Sequence, residues 1–334
     1  MSKGFHLRPM LLVIAAVLLA CGCSERPADG AADHARAMRF GTARVSTRGV
    51  VGTAELQAAG SAFAVWGICR KGDAAPIRVF DGTRVVSDGG QWSYGEPQYW
   101  LPTFTYDFRA LYPADLPAGA SVAFAGDGPH LTVGDFDAVS GVDLLAASPA
   151  PIECDPGRTM GPVNLEFRHL LARVRFVGRS DEQHLGTGRR IVIDRAVLYG
   201  IRTRGDWSGA SFAEELPGSW TPRGELLGAE SGTYVAESVE LATDGTDLFA
   251  DERALLFIPQ ELTDAVLEIT YHYDCSESYR YTGRVALKSV SERWEAGKSY
   301  RYPFTISDRI FFDTPAVEAW QYAPINGSDF NVDL

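Results

Sequence analysis

The sequence predicts an all-β protein with two tandem β-sandwich domains that follow an N-terminal targeting segment. Three observations support this: many aromatic residues, alternation of apolar and polar residues along most of the chain, and one short apolar run near the start. The 334 residues include 17 Phe, 13 Tyr and 7 Trp but only 4 Met, and aromatic residues favour strands. A hydrophobic fraction of 46% excludes a wholly disordered chain.

Residues 1–20 have the features of an export signal. Two basic residues precede an uncharged apolar run at residues 10–20, which is shorter than the roughly twenty residues of a membrane span. The run ends in Leu18-Leu19-Ala20-Cys21, which resembles the bacterial lipobox. That resemblance implies cleavage before Cys21 and its diacylation, which would anchor the chain in a membrane. Acylation of Cys23 and ordinary secretory cleavage are the alternatives.

The charge balance excludes one class of partner. The formal net charge is −12, and the chain becomes more acidic when the basic start is removed. Nucleic-acid binding requires a basic surface, so we predict no nucleic-acid partner.

Four segments illustrate the strand pattern. Apolar and polar residues alternate along Phe104–Tyr112, Leu267–Tyr273 and Tyr300–Ile306, and this alternation predicts half-buried strands. The continuous apolar run Ala254–Ile258 predicts a strand covered on both faces.

The segment Val163–Val177 alternates too, but its phase changes between Leu171 and Ala172. A strand changes face only by inserting a residue, so we predict one strand with a β-bulge there, rather than two strands.

The segment Ser148–Gly161 is rich in Pro and Gly and divides the chain into halves of domain size. The predicted organisation is a signal peptide at 1–20, a flexible tether at 21–36, sandwich domains at 37–155 and 156–320, and a C-terminal tail at 321–334.

No catalytic motif is present, so we predict no enzyme activity, no cofactor and no metal site. Gly297-Lys298-Ser299 lacks the earlier glycine of a P-loop. His169 lies on the apolar side of its strand and is interpreted as a core histidine bonded to the backbone rather than a ligand. Cys69, Cys154 and Cys275 are interpreted as buried free thiols, with one disulfide left open.

Four aromatic residues lie within nine positions: Trp92, Tyr94, Tyr99 and Trp100. Such a group could stack on sugars or could pack against the core, and we favour packing.

Several motifs, in order, resemble the fimbrillin family of Bacteroidales surface lipoproteins, which includes major and accessory fimbrial subunits. The motifs are Phe63-Ala64-Val65-Trp66, Phe108-Arg109-Ala110-Leu111-Tyr112-Pro113, Leu165–Val174, Phe257-Ile258-Pro259-Gln260 and Trp294-Glu295-Ala296-Gly297-Lys298-Ser299-Tyr300. The resemblance implies transthyretin-like Greek-key sandwiches, a lipid-anchored precursor at the outer membrane and assembly with other fimbrial subunits at the cell surface.

In that family a protease cuts after an arginine and removes the first strand, and a strand from the next subunit takes its place. The resemblance therefore implies a removable strand at Met38–Val45, with Phe40 as an inward residue. Candidate cleavage sites are Arg36, Arg39, Arg44 and Arg48, of which Arg48 is preferred because it lies beyond the strand.

The tail, residues 309–334, is a candidate donor strand or the last strand of the second domain. Host protein or glycan is a further candidate partner. The alternative function is a surface lipoprotein that binds carbohydrate or host and does not polymerise.

Overall fold

A computed structural model of the protein describes residues 36–45, 51–125, 130–181, 190–209, 218–249, 255–276, 278–307 and 310–319. In these ranges almost all regular structure is β-strand, which confirms the predicted all-β class. A short α-helix, α1, forms a single turn at Thr53–Gln57.

The strands in chain order are β1 (Phe40–Val45), β2 (Ala62–Arg70), β3 (Ile77–Asp88), β4 (Gln91–Ser93), β5 (Thr105–Tyr112), β6 (Ser121–Ala125), β7 (His130–Asp137), β8 (Leu145–Ala147), β9 (Ile152–Glu153), β10 (Val163–His169), β11 (Ala172–Ser180), β12 (Ile191–Tyr199), β13 (Arg204–Ser208), β14 (Ser219–Arg223), β15 (Val235–Glu240), β16 (Thr246–Asp247), β17 (Leu255–Phe257), β18 (Gln260–Glu261), β19 (Val266–Tyr273), β20 (Tyr281–Ala286), β21 (Arg293–Trp294), β22 (Lys298–Ile306), β23 (Ile310–Phe312) and β24 (Ala316–Ala319).

The first sheet is curled into a nearly closed barrel. Its strands lie in the order β1-β10-β8-β5-β2-β3-β4, with β9 also paired to β5. The two edge strands approach each other, because the Phe40 ring contacts Tyr94, just after β4, with 5.7 Å between ring centroids. The inward residues of this sheet form one aromatic core.

A second sheet, β14-β13-β7-β6, packs on the outer face of the first. Trp66 and Leu111 from the first sheet meet Phe136 and Trp207 from the second in a shared core. Because β5 is covered on both faces, even its polar residues Asp107 and Arg109 are buried. The prediction of a strand at Phe104–Tyr112 was therefore correct, but the prediction that one of its faces is exposed was wrong.

The C-terminal part is a sandwich of two sheets. One sheet has the order β16-β11-β22-β23, with β17 on β11 and β24 on β22, and the other has the order β15-β12-β19-β20. Its long strand Lys298–Ile306 alternates between buried and partly exposed residues, as predicted. The strand Val266–Tyr273 alternates as predicted as far as Tyr271, but His272 is buried and Tyr273 is partly exposed, so the phase changes at its end. The strand Leu255–Phe257 is covered on both faces, also as predicted, since Leu256 and Phe257 enter different cores.

The segment Val163–Val177 is not one bulged strand. It forms β10 in the first sheet and β11 in the C-terminal sandwich, so the predicted bulge was wrong. The change of phase marks a crossing between sheets. Leu170 and Leu171 at the crossing are both buried in the core that joins the first two sheets, which explains why no turn residue is needed.

The first sheet therefore extends past residue 155, since β10 follows that point and lies inside the sheet. The second sheet also combines strands from before and after residue 155. The division into units of 37–155 and 156–320 stays a prediction.

Candidate functional site

The segment Arg36–Val45 fills a groove along the edge of the first sheet, which we call the β1 groove. One wall is β10, which pairs in parallel with β1 and aligns Ala43 with Leu165 and Val45 with Phe167. The other wall is formed by α1 and by residues 94–100. The predicted removable strand thus exists as a docked strand, and its removal stays a prediction.

The inner face of β1 is deeply buried. Met38, Phe40 and Ala43 are 2%, 6% and 1% exposed, and Val45 is half-buried. Four rings surround Phe40, at centroid distances of 5.7 Å for Phe63, Phe80 and Tyr94 and 6.4 Å for Phe108. Removing a buried Phe ring costs about 3–5 kcal/mol, so Phe40 is the main anchor of the strand.

Side chains of α1 hold the C-terminal half of β1 along the edge that does not pair with β10. Thr53 Oγ1 accepts a hydrogen bond from the Val45 amide at 3.1 Å, and Gln57 Nε2 donates one to the Ala43 carbonyl at 2.7 Å. Leu56 is fully buried and fixes the helix against the core. Polar side chains thus satisfy backbone groups that would otherwise be open to another strand.

The N-terminal half is held by the segment at residues 94–100. The Met38 amide donates to the Gln98 carbonyl at 2.7 Å, and the Trp100 amide donates to the Arg36 carbonyl at 3.0 Å. The Tyr94 hydroxyl donates to the Met38 carbonyl at 2.7 Å. Both edges of the strand are therefore bonded along most of its length.

The predicted aromatic group belongs to this wall. Trp100 is 3% exposed and packs on Tyr106, and Trp92 is half-buried with its ring 4.8 Å from Phe63. Among Trp92, Tyr94, Tyr99 and Trp100, only Tyr99 is exposed, at 44%. Sugar stacking needs exposed ring faces, so the group forms a packed wall rather than a flat platform.

Three of the candidate cleavage sites, Arg36, Arg39 and Arg44, lie in the docked segment. Arg44 is exposed and its Nη2 lies 3.3 Å from Glu166 Oε2. The Arg39 carbonyl accepts a hydrogen bond from the Val163 amide at 2.7 Å. A protease needs an extended, free backbone, so cleavage at either residue requires β1 to open first. Arg48 and Cys21 lie outside the described residues.

A buried polar contact lies at the end of β10, and the sequence did not predict it. His169 Nδ1 lies 2.9 Å from Asp143 Oδ2, and both side chains are fully buried. The histidine is in the core as expected, but its partner is a carboxylate, which corrects the predicted bond to the backbone. Asp143 also accepts from the Val51 amide at 3.3 Å, which ties the chain after β1 to the end of β10.

The three described cysteines are free. Burial raises the pKa of the Cys69 and Cys154 thiols, which keeps them protonated. Cys275 is exposed, so the prediction of a buried thiol was wrong there. Within the described ranges no group of three or more His, Cys, Asp or Glu residues is placed to hold a metal ion. The same part of the chain contains no helix with the length and apolarity that a membrane span requires.

A solved structure of a fimbrial protein shares this fold. A fimbrial protein from Bacteroides vulgatus is 16% identical, covers 86% of this chain and 100% of its own, and superposes with a TM-score of 0.59. A protein assigned to cell adhesion from Bacteroides uniformis is 19% identical over 86% of this chain and 99% of its own, with a TM-score of 0.48. No individually curated protein matches the chain.

The sequence itself identifies the family. The family described as Fimbrillin-like matches residues 47–320, which is most of the chain. This protein therefore belongs to the Fimbrillin-like family.

Proposed function

We propose that this chain is a structural or accessory subunit of cell-surface fimbriae that contributes to adhesion and is not an enzyme. The proposal includes export as a lipoprotein with residues 1–20 as signal peptide and Cys21 as lipid anchor. It also includes transthyretin-like domains and assembly by donor-strand exchange with other fimbrial subunits. Its support is the family membership, the fimbrial protein of the same fold, and the β1 groove.

The docking of β1 at a sheet edge carries the proposal. Main-chain hydrogen bonds to β10 supply affinity that any extended strand can reproduce, while the pocket of Phe40 supplies an apolar anchor. If β1 leaves, the groove exposes the aromatic core beneath it. A strand from a second subunit would cover that core again, and this gives the driving force for assembly.

The C-terminal strands supply a suitable donor. β24 pairs with the edge of β22, and Val317 in it is 50% exposed. Because β24 buries little apolar surface, its release costs little. The segment from residue 309 to the end is therefore our proposed donor.

Processing is tested by mass spectrometry of the chain recovered from the cell surface. We expect either a diacylated N-terminal Cys21, for an anchor or unprocessed precursor, or an N-terminus at Gly49, for a mature subunit. Arg48→Ala should block the second form, and the matched Arg44→Ala variant should leave it unchanged. An unacylated N-terminus between residues 22 and 36, which ordinary secretory cleavage would leave, would refute the lipoprotein part of the proposal.

Assembly is tested by cutting the purified chain after Arg48 and following its size in detergent gels. We expect ladders that resist dissociation after cutting, and monomers before it. An excess of a peptide with the sequence of residues 36–45 should stop the ladders by filling the groove. A cut chain that releases β1 and stays monomeric would instead favour the non-polymerising binding protein.

A further inference from the structure

The pairing of β1 with β10 contains one irregularity. Phe40 is aligned with Val163, and the next aligned pair is Ala43 with Leu165. Two residues of β1 therefore stand opposite the single residue Asn164, which is the arrangement of a β-bulge.

The bulge is held by the side chain of Asn164. Its Oδ1 accepts a hydrogen bond from the Thr42 amide at 2.9 Å. Thr42 is exposed, so its own side chain points away from the core. The amide group of Asn164 is thus fixed at the point where the strand bends.

The neighbouring position has no room for a side chain. A Cβ atom on Gly41 would lie 2.5 Å from Asn164 Oδ1 and 2.9 Å from the Cβ and Cγ atoms of Pro162. Non-bonded carbon contacts settle near 3.5–4.0 Å. The Gly41 backbone is outside the left-handed region, so space rather than backbone torsion requires glycine here.

We propose that Asn164 and Pro162 make the β1 groove selective, so that it accepts only a strand with glycine opposite Asn164. Both residues remain in the groove when β1 leaves, because they belong to β10 and the residue before it. Asn164 cannot turn aside without losing its bond to the strand, and the proline ring is rigid. For an incoming strand, this inference rests on the proposed strand exchange. Within the proposed donor, residues 309–334, it requires the part that contains Gly327, the one glycine of that segment, rather than β24.

Selectivity is tested with peptides on the full chain. A specific protease site is placed within residues 46–50 and cut, so that only non-covalent contacts hold β1 and it can leave the groove. Labelled peptides of residues 36–45 then compete for the groove, with the natural sequence compared with Gly41→Ala, Gly41→Val and the matched control Thr42→Val. Thr42→Val adds bulk on the exposed side and keeps the amide that Asn164 binds.

We expect the natural peptide and the Thr42→Val peptide to bind alike. The Gly41→Ala peptide should bind roughly tenfold more weakly or worse, because inserting a methyl group into a packed site is destabilising, and the Gly41→Val peptide should not compete. A Gly41→Val peptide that binds within about twofold of Thr42→Val would overturn the proposal.

The intact chain gives a second measurement that does not need strand exchange. Tryptic cleavage after Arg44, followed by mass spectrometry, reports how often β1 opens. Gly41→Ala should raise this rate roughly tenfold. In an Asn164→Ala background it should raise the rate less, because the added methyl group then no longer meets the Asn164 side chain. Equal rates for Gly41→Ala and Thr42→Ala would contradict the selective role of Asn164 and Pro162.

The two measurements separate this inference from the proposed function. If no peptide enters the groove but Gly41→Ala still opens β1, strand exchange is refuted while the requirement for glycine stands. If every peptide enters equally, exchange is supported and the selectivity is refuted.

Discussion

The strands nearest the two ends of the described chain are held in different ways. β1 buries Met38, Phe40 and Ala43 and is bonded on both edges, whereas Val317 at the centre of β24 is 50% exposed. Both strands lie at sheet edges, so position in a sheet does not set how firmly a strand is held. Buried side chains do: β1 buries three of them, whereas most of β24 is exposed.

The largest expected effect comes from the anchor of β1. Phe40→Ala should lower the free energy of opening of β1 by about 3–5 kcal/mol, since it empties a pocket lined by four rings. Val317→Ala should change the opening of β24 by less than about 0.5 kcal/mol, because the residue is exposed. Hydrogen exchange of the amides in each strand measures both values. Equal losses in the two strands would break the comparison.

A second prediction compares the first sheet, which holds β1, with the C-terminal sandwich, which holds β24. Burial raises the pKa of Tyr106 in the first sheet and of Tyr300 in the sandwich to about 12. The folded state favours the neutral hydroxyl, so the contribution of these two tyrosines to stability should be constant below about pH 10 and fall between pH 10 and pH 12. For fully buried Tyr106 the loss is at most about 3 kcal/mol.

Urea unfolding from pH 8 to pH 12 measures this loss, and absorbance at 295 nm follows tyrosine ionisation. Tyr106→Phe and Tyr300→Phe should each reduce the alkaline loss relative to their own stability at pH 8. A variant that retains the full loss would show that its tyrosine is not a source of it.

A smaller effect is expected from the hydroxyl that binds the start of β1. Tyr94→Phe removes the hydrogen bond to the Met38 carbonyl and keeps the ring contacts. The opening free energy should fall by about 1 kcal/mol. Tyr99→Phe is the matched control, because its ring is exposed, and it should leave hydrogen exchange in β1 unchanged.

The smallest effect is expected at the outer face of β1. The side chains of Arg44 and Glu166 are 62% and 47% exposed, so water and salt screen their attraction. Arg44→Ala should cost no more than about 0.5 kcal/mol, and 1 M salt should abolish the difference. A cost that persists at high salt would mean that the arginine stem packs on the strand.

The sequence predicted where the strands lie, but it did not predict which parts of the chain pack against them. Alternation located the strands at Val266–Tyr273 and Lys298–Ile306, because a half-buried strand repeats every two residues. It failed for Asp107 and Arg109, whose polar character predicted an exposed face, whereas both residues are buried. A local pattern cannot indicate what packs on a strand from elsewhere in the chain.

The candidate site shows the same limit. The family resemblance pointed to Met38–Val45, and Phe40 is its anchor. The side chains that hold β1 in place were not predicted. Asn164 lies 122 residues from its partner Thr42, and Gln57 binds the Ala43 carbonyl from a helix of five residues. Nothing in the local sequence marks such residues.

By itself the sequence determined the all-β class and the family, because period-two alternation and ordered motifs are properties of short segments. Only the tertiary structure decided that β10 and β11 enter different sheets and that β1 pairs with β10. These choices depend on hydrogen bonds and apolar contacts between distant segments, and such contacts exist only when the chain is folded.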